Sequence, residues 1–267
     1  MVIRIHILRV EDVRWVGGKA SAVGCQHAPG LAAEKLKPAL ARLHPVEAGA
    51  QSVGVAGDED SGRTVPQEIG LELDERRLAV ILGDVAGKGL PAAMLMASVL
   101  GSMRALCSAG LRGCELIAAP NKHVRTNTSG DRLVTLFYGE LDTSTGEIAY
   151  VNAGHNPPIL LRSDGRVDRL QPTARVLGVL ADALVESRQV EIKPADRLLL
   201  FTDGLTEAVN KKDQEYGEQR LTESFTRLRA LPSSTVGERL MADVLSFCGS
   251  LQPFDDMTLM LVERQLA

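Results

Sequence analysis

The sequence predicts an α+β fold, and three observations lead to this prediction. Short apolar runs typical of strands cluster in the middle of the chain, between Leu133 and Thr202. Helix-like stretches lie towards the two ends of the same patterned region. Strands and helices are therefore segregated rather than alternating, which favours α+β over a parallel α/β sheet. The chain has 267 residues, enough to bury the core of one or two domains.

Composition excludes several classes of protein. Hydrophobic residues make up 45% and charged residues 24% of the chain, as in an ordinary globular protein, which excludes wholesale disorder. The formal net charge of −4 argues against a protein that binds nucleic acid or anionic membranes through general electrostatics. Aromatic residues are only 3%, so we expect an aliphatic core.

The sequence also contains no recognisable targeting signal and no closely spaced cysteine pair. No run reaches the roughly 18 uncharged apolar residues of a membrane-spanning helix, and the first residues do not resemble a signal peptide. The four cysteines are scattered without a Cys-x-x-Cys pair, which is typical of reduced thiols. We therefore expect a cytoplasmic protein with no membrane and no nucleic-acid partner.

Residues 1–70 differ from the rest of the chain. They show no sustained period of 2 or 3.6 apart from a possible short helix at Leu31–Leu43, and they end in a glycine-rich, polar stretch. We interpret residues 1–70 as a divergent or poorly ordered N-terminal region or linker. Residues 71–264 are then the patterned, folded domain.

The folded domain opens with a buried strand at Leu78–Leu82 and a glycine-rich turn at Gly83–Gly89. A helix follows at Pro91–Leu106, because proline is tolerated in the first helical turn, and a second helix is predicted at Glu115–Arg125. The remaining predicted elements are strands at Leu133–Leu141, Ile148–Asn152, Ile159–Arg162, Val167–Leu170, Arg188–Ile192, Arg197–Thr202 and Met257–Val262, and helices at Glu218–Ala230 and Thr235–Phe247.

Aspartates stand where three of these strands begin or end. Asp84 follows the first strand, Asp203 follows Arg197–Thr202, and Asp255-Asp256 precedes the last strand. Several carboxylates without histidine or cysteine companions suit a hard cation such as Mg²⁺ or Mn²⁺ better than zinc. The alternative is that each aspartate only stabilises a local turn or helix cap.

Other catalytic motifs are incomplete. Gly83–Gly89 lacks the first glycine and the hydroxyl residue of a P-loop, and the dinucleotide-binding pattern lacks its second strand and acid. We interpret His155, in the turn Asn152–Pro158, as a structural or solvated residue, because two prolines already explain the turn. No serine or cysteine nucleophile motif is present in the sequence.

Four segments taken together resemble one family. Gly83–Ala93, Asn152–Pro158, Phe201–Ala208 and Asp255–Leu259 occur in the order and approximate spacing of the metal-dependent protein serine/threonine phosphatases, the protein phosphatase 2C or PPM type. Within them the chain is similar to the bacterial branch that controls sporulation and stress-response sigma factors. The resemblance spans about Leu71 to Arg264.

The resemblance implies a four-layer αββα sandwich, two β-sheets flanked by helix pairs, with two Mn²⁺ or Mg²⁺ ions. It implies hydrolysis of phosphoserine or phosphothreonine by a metal-bound water, with Asp84 and Asp203 as catalytic residues. It makes Asp84, the Val85 carbonyl, Asp203 and Asp255 the metal ligands, with Asp256 as the alternative to Asp255. Lys88 would attract phosphate, or would simply be solvated.

The same resemblance implies a phosphorylated regulatory protein as substrate, of the anti-sigma-factor antagonist type, and a separate sensor or activator protein. One departure leaves a second hypothesis open. Family members carry a Gly-Gly-Asp before the Asp84 motif, and counting back by the family spacing gives Pro66 instead of the acid. Asp58 would serve only with an insertion in this chain, and Glu68 only with a rearranged loop. The alternative is therefore a catalytically impaired protein of the same fold that acts as a binding or regulatory module.

Overall fold

The computed structural model describes most of the chain as two compact units. The described residues are 3–9, 13–16, 19–22, 68–87, 89–128, 132–180, 184–249 and 256–265. The central unit consists of residues 30–155 and 172–191, and the terminal unit of residues 1–29, 156–171 and 192–267. The helix predicted at Leu31–Leu43 lies outside the described residues.

The central unit contains a five-stranded antiparallel sheet with the strand order β10-β7-β6-β5-β4. Its helices α1 and α2 pack on one face of that sheet through a continuous apolar cluster. The elements are β4 (Glu68–Glu72), β5 (Arg77–Val85), α1 (Leu90–Ser108), α2 (Gly113–Asn127), β6 (Val134–Asp142), β7 (Glu147–Ala153) and β10 (Arg188–Glu191).

Successive side chains of β5 point to opposite faces of the sheet, and both faces are buried. Ala79 and Ile81 pack with α1 and α2, while Val80 and Leu82 point to the opposite face and are also buried. A strand buried on both faces reads as a continuous apolar run, which is the pattern that predicted it. The hairpin from β6 to β7 turns at Asp142, whose Oδ1 accepts hydrogen bonds from the Ser144 and Thr145 amides.

Helix α1 has the length and mean hydropathy (1.5) of a membrane-spanning helix. We expected no such segment, because Arg104 ends the uncharged apolar run. Leu95 and Met96 are among the side chains that α1 buries against the sheet and α2, and a helix is apolar over the arc that it buries. Only 39% of the apolar window is buried, and Leu90 and Met94 are exposed.

The terminal unit contains a second five-stranded antiparallel sheet, in the order β1-β12-β11-β8-β9, and a separate hairpin of β2 and β3. Helices α3 and α4 share an apolar cluster with this sheet. The elements are β1 (Ile3–Arg9), β2 (Val13–Val16), β3 (Lys19–Ala22), β8 (Ile159–Leu161), β9 (Val167–Arg169), β11 (Arg197–Phe201), α3 (Gly217–Arg227), α4 (Ser233–Cys248) and β12 (Thr258–Arg264).

The predicted α+β class is confirmed, with two antiparallel sheets and two helix pairs. Strands β1 to β4 were not predicted. β1 pairs along its whole length with β12, so Ile3–Arg9 belongs to the folded core of the terminal unit, although we place it in the N-terminal region by pattern. β4 likewise runs across residue 71, so Glu68–Gly70 belong to the central sheet. Elsewhere in 1–70 the boundary stays a prediction.

Candidate metal and catalytic site

Asp84 lies at the end of β5 on the sheet face that points away from α1 and α2. Its register partner on β6 is Thr135, and directly opposed residues of an antiparallel pair project to the same face. The Asp84 carboxylate is partly exposed. Its Oδ1 accepts a hydrogen bond of 3.0 Å from the Val85 amide. The backbone of the next residue thus orients the predicted ligand.

Glycines on either side of Asp84 determine the path of the backbone there. A Cβ on Gly83 would stand 2.7 Å from the Met96 Cε and 3.1 Å from the Thr135 carbonyl oxygen, so a larger residue here requires the Met96 side chain and the β6 backbone to shift. Beyond Asp84 the chain turns through Gly87 and Gly89, with φ of 118° and 80°. Such angles strongly favour glycine, and they direct the chain from β5 into α1.

Polar residues continue along the same end of the sheet. Thr135 Oγ1 lies 2.9 Å from His155 Nδ1. The His155 amide donates to Asn152 Oδ1 at 2.8 Å. Asn152 and His155 are 0% and 1% exposed, so the alternative of a solvated His155 is wrong. His155 is buried and hydrogen-bonded one strand away from Asp84.

Asp203 opens a short 3-10 helix, Asp203–Leu205, directly after β11. Its carbonyl oxygen accepts hydrogen bonds from the amides of Thr206 and Glu207, each 2.8 Å long. The backbone that follows this turn is also fixed, because the Gly217 amide donates to the Thr206 carbonyl. Asp203 is partly exposed as a residue, and its backbone is fixed by these hydrogen bonds.

Thr202 joins the Asp203 turn to the start of β12. Its buried hydroxyl donates to the Asp256 carbonyl at 3.0 Å and accepts from the Thr258 amide at 3.0 Å. The backbones at Asp203 and Asp256 therefore lie close together, where β11 ends and its antiparallel neighbour β12 begins. Asp255 and Lys88 lie outside the described residues.

The donor chemistry of these residues fits a hard divalent cation. Asp84 and Asp203 offer carboxylate oxygens, which Mg²⁺ and Mn²⁺ prefer. Within the described part of the chain, no three His, Cys, Asp or Glu side chains group closely enough to hold a metal ion. The full ligand set therefore stays a prediction that includes Asp255.

The two buried cysteines, Cys107 and Cys248, do not compete with this assignment. Burial raises the pKa of the Cys107 and Cys248 thiols. Both therefore stay protonated at neutral pH, and a protonated, buried thiol is a poor nucleophile.

Sequence reasoning missed one residue of the site region. Nothing local in the sequence marks Thr135, which gains its place only by pairing with Asp84.

Comparison with known proteins gives the same family. The family model of Stage II sporulation protein E, SpoIIE, matches residues 74–265. Protein IcfG of Synechocystis is 29% identical over 220 residues, covering 72% of this chain and 34% of IcfG. The phosphoserine phosphatase RsbU of Bacillus subtilis is 24% identical over 194 residues, covering 72% of this chain and 57% of RsbU. The chain thus spans a third to somewhat over half of these relatives.

Solved structures share the fold. The RsbU and RsbW domains of Rv1364c from Mycobacterium tuberculosis match with a TM-score of 0.64 and 26% identity, over 78% of this chain and 57% of that one. The catalytic domain of the serine/threonine phosphatase PstP, solved with two manganese ions, matches with a TM-score of 0.52 and 16% identity, over 78% of this chain and 95% of that one. The latter likeness shows the fold alone.

These matches confirm the resemblance that the four motifs predicted, because the family model covers well over half of the chain and includes all of them. The chain belongs to the SpoIIE family of protein phosphatase 2C-like domains, in the branch that regulates sigma factors.

Proposed function

We propose that this protein hydrolyses phosphoserine or phosphothreonine on a regulatory protein. The observation that carries the proposal is the placement of Asp84 and Asp203, each partly exposed at the end of a buried strand with its backbone fixed by neighbours. Support also comes from RsbU, a relative named as a phosphoserine phosphatase.

The roles follow from the chemistry of the side chains. Asp84, the Val85 carbonyl, Asp203 and Asp255 would hold Mn²⁺ or Mg²⁺, and Lys88 would attract the phosphate group. When bound, two such ions lower the pKa of a coordinated water and offset charge on the phosphoryl group. The protein contributes rigid placement: the Val85 amide fixes one Asp84 oxygen, and the Thr202 hydroxyl fixes the chain beside Asp203 and Asp256.

We propose a phosphorylated anti-sigma-factor antagonist as the substrate and a separate sensor or activator protein as the regulator. We also propose that the protein is cytoplasmic. The support is the relationship to RsbU and to the RsbU and RsbW domains of one Mycobacterium tuberculosis protein. Because the chain spans only part of its relatives, these points go beyond the family assignment.

The test is a Mn²⁺ titration by calorimetry with phosphate release from a phosphoserine protein measured in parallel. Asp203→Ala removes a ligand, so we expect weaker or fewer Mn²⁺ sites and a fall in turnover of roughly a hundredfold or more, since the metal supplies several kcal/mol of transition-state stabilisation. Asp213→Asn, an exposed aspartate in the same unit, is the matched control. Wild-type protein that binds Mn²⁺ without releasing phosphate would contradict the proposal.

A second candidate function, a phosphatase fold kept for binding with impaired turnover, is favoured by Pro66, which stands where the family spacing puts the acid of the Gly-Gly-Asp motif. If this candidate is correct, calorimetry finds at most one Mn²⁺ site in the wild type, and no phosphate release accompanies binding. Two Mn²⁺ sites with metal-dependent turnover would eliminate it.

A further inference from the structure

The sheet face that carries Asp84 is apolar along most of its length and polar only at one end. Val80, Leu82 and Phe137 are fully buried on it. The pattern changes at Asp84 and Thr135, which are register partners and share this face. Cβ atoms of such partners stand about 4.5–5.5 Å apart, so a change in the Thr135 side chain acts directly on the space that the Asp84 carboxylate occupies.

The Thr135 side chain also contacts His155. Its Nδ1 lies 2.9 Å from Thr135 Oγ1. The backbone of His155 is itself fixed, since its amide donates to Asn152 Oδ1, and the side chain is buried. The Asn152 carbonyl accepts from the amides of Thr173 and Ala174 at 2.8 and 3.0 Å. The chain of contacts therefore runs from a fully buried asparagine, through His155 and Thr135, to the strand position opposite Asp84.

The turn that carries His155 has little freedom to move. Gly154 has φ of +69°, and a Cβ there would collide with the Val176 side chain. The Asn152 amide donates to Thr173 Oγ1 at 3.0 Å, which fixes the same turn from the neighbouring segment. A rigid, buried imidazole held this way can fix the rotamer of a hydroxyl side chain.

We propose that His155 is a positioning residue that acts through Thr135 to orient the Asp84 carboxylate. The effect on turnover rests on the proposed phosphatase function, whereas the coupling between the three side chains does not. Residues behind a metal ligand typically change affinity or activity by about 10–100-fold when removed. We therefore expect kcat to fall about 10–100-fold in His155→Ala, with little change in KM.

The activity-independent readout is the backbone amide of Val85, because it donates to Asp84 Oδ1 and so reports the carboxylate orientation. In ¹H–¹⁵N NMR spectra we expect His155→Ala and Thr135→Val to shift the Val85 resonance. His155→Asn, whose side-chain amide replaces the group at Nδ1, and Thr135→Ser, which keeps the hydroxyl, restore it. Thr135→Val is close to isosteric and provides the test if His155→Ala fails to fold.

The matched control is a second histidine–hydroxyl pair in the same unit. His123 Nε2 lies 2.7 Å from Ser98 Oγ, between α2 and α1. His123→Ala removes the same type of contact and leaves the Val85 resonance and kcat unchanged if the coupling is specific to the pair beside Asp84.

A double-mutant cycle decides whether His155 acts through Thr135. If it does, the Thr135→Val/His155→Ala double variant loses no more kcat than the more impaired single variant. Additive losses, or a Val85 resonance that does not move in folded His155→Ala or Thr135→Val, would overturn the inference. Wild-type protein without turnover would refute the proposed function alone, since the Val85 resonance still decides the coupling.

Discussion

Single glycines set the geometry around Asp84, and their effect is a matter of close contacts. Gly83 lies under α1 and against β6, whereas Gly70 of β4 has open space where a Cβ would be. Because a Cβ on Gly83 also meets backbone at Thr135, side-chain rotation alone cannot relieve the contact. The residue type at position 83 is therefore dictated by packing and not by the turn that follows.

We predict that Gly83→Ala lowers the free energy of unfolding by about 1–3 kcal/mol, the usual cost of overpacking a core. Gly70→Ala is the control on the same sheet and changes it by less than about 1 kcal/mol. Urea denaturation of both variants measures the difference. Equal stabilities would mean that α1 shifts freely to admit the extra methyl group.

Helix α1 shows how the position of a glycine within one element decides its effect. Gly89 caps the helix with φ of 80° and ψ of −171°, a conformation that other residues adopt only at a cost of about 1–3 kcal/mol. Gly101 lies within the helix, exposed, with no atom within 4 Å of a built Cβ. The same substitution therefore has opposite consequences at the two positions.

We predict that Gly101→Ala raises the free energy of unfolding by about 0.5–1 kcal/mol, because alanine loses less backbone entropy in a helix. Gly89→Ala lowers it in the same measurement. Thermal unfolding followed by circular dichroism compares the two variants with wild type. If Gly101→Ala destabilises the protein, the prediction is wrong, and residue 101 makes a contact that requires glycine.

Each unit has its own apolar core, and among the described residues the buried charged groups are few. Glu263 of β12 is the clearest case. Burial alone would raise its pKa, but the Ser233 hydroxyl and the Arg197 guanidinium, whose Nε is 2.8 Å away, lower the pKa below its ordinary value. The carboxylate is therefore more stable in the folded chain than in the unfolded one.

The sign of the pH dependence follows from this direction. A lowered pKa stabilises the fold above the ordinary glutamate value of about 4.3, and the stabilisation is lost as the pH falls towards the folded pKa. We predict that Glu263→Gln costs roughly 1–3 kcal/mol at pH 7 and much less near pH 3. Urea denaturation at both pH values checks this, with the exposed Glu147→Gln as control. A cost independent of pH would refute it.

Prediction from the sequence succeeded where the signal is local. The helix predicted at Pro91–Leu106 is α1 (Leu90–Ser108), and the run Leu78–Leu82 lies within β5, because proline placement and apolar runs act on neighbouring residues. The predicted helix Glu218–Ala230 ends instead at Arg227 and continues as a 3-10 turn. That boundary depends on packing, which the pattern does not record.

The fold class, the family and the strand-end position of Asp84 and Asp203 could be predicted from the sequence, because periodicity, turn residues and motif order are properties of short segments. Which distant segments meet became visible only in the folded chain. β1 pairs Ile3 with Arg264 across almost the whole chain, and Thr135 meets His155 only through the β6–β7 pairing. Sheet register and buried side-chain hydrogen bonds depend on partners far away in sequence, so no local pattern specifies them.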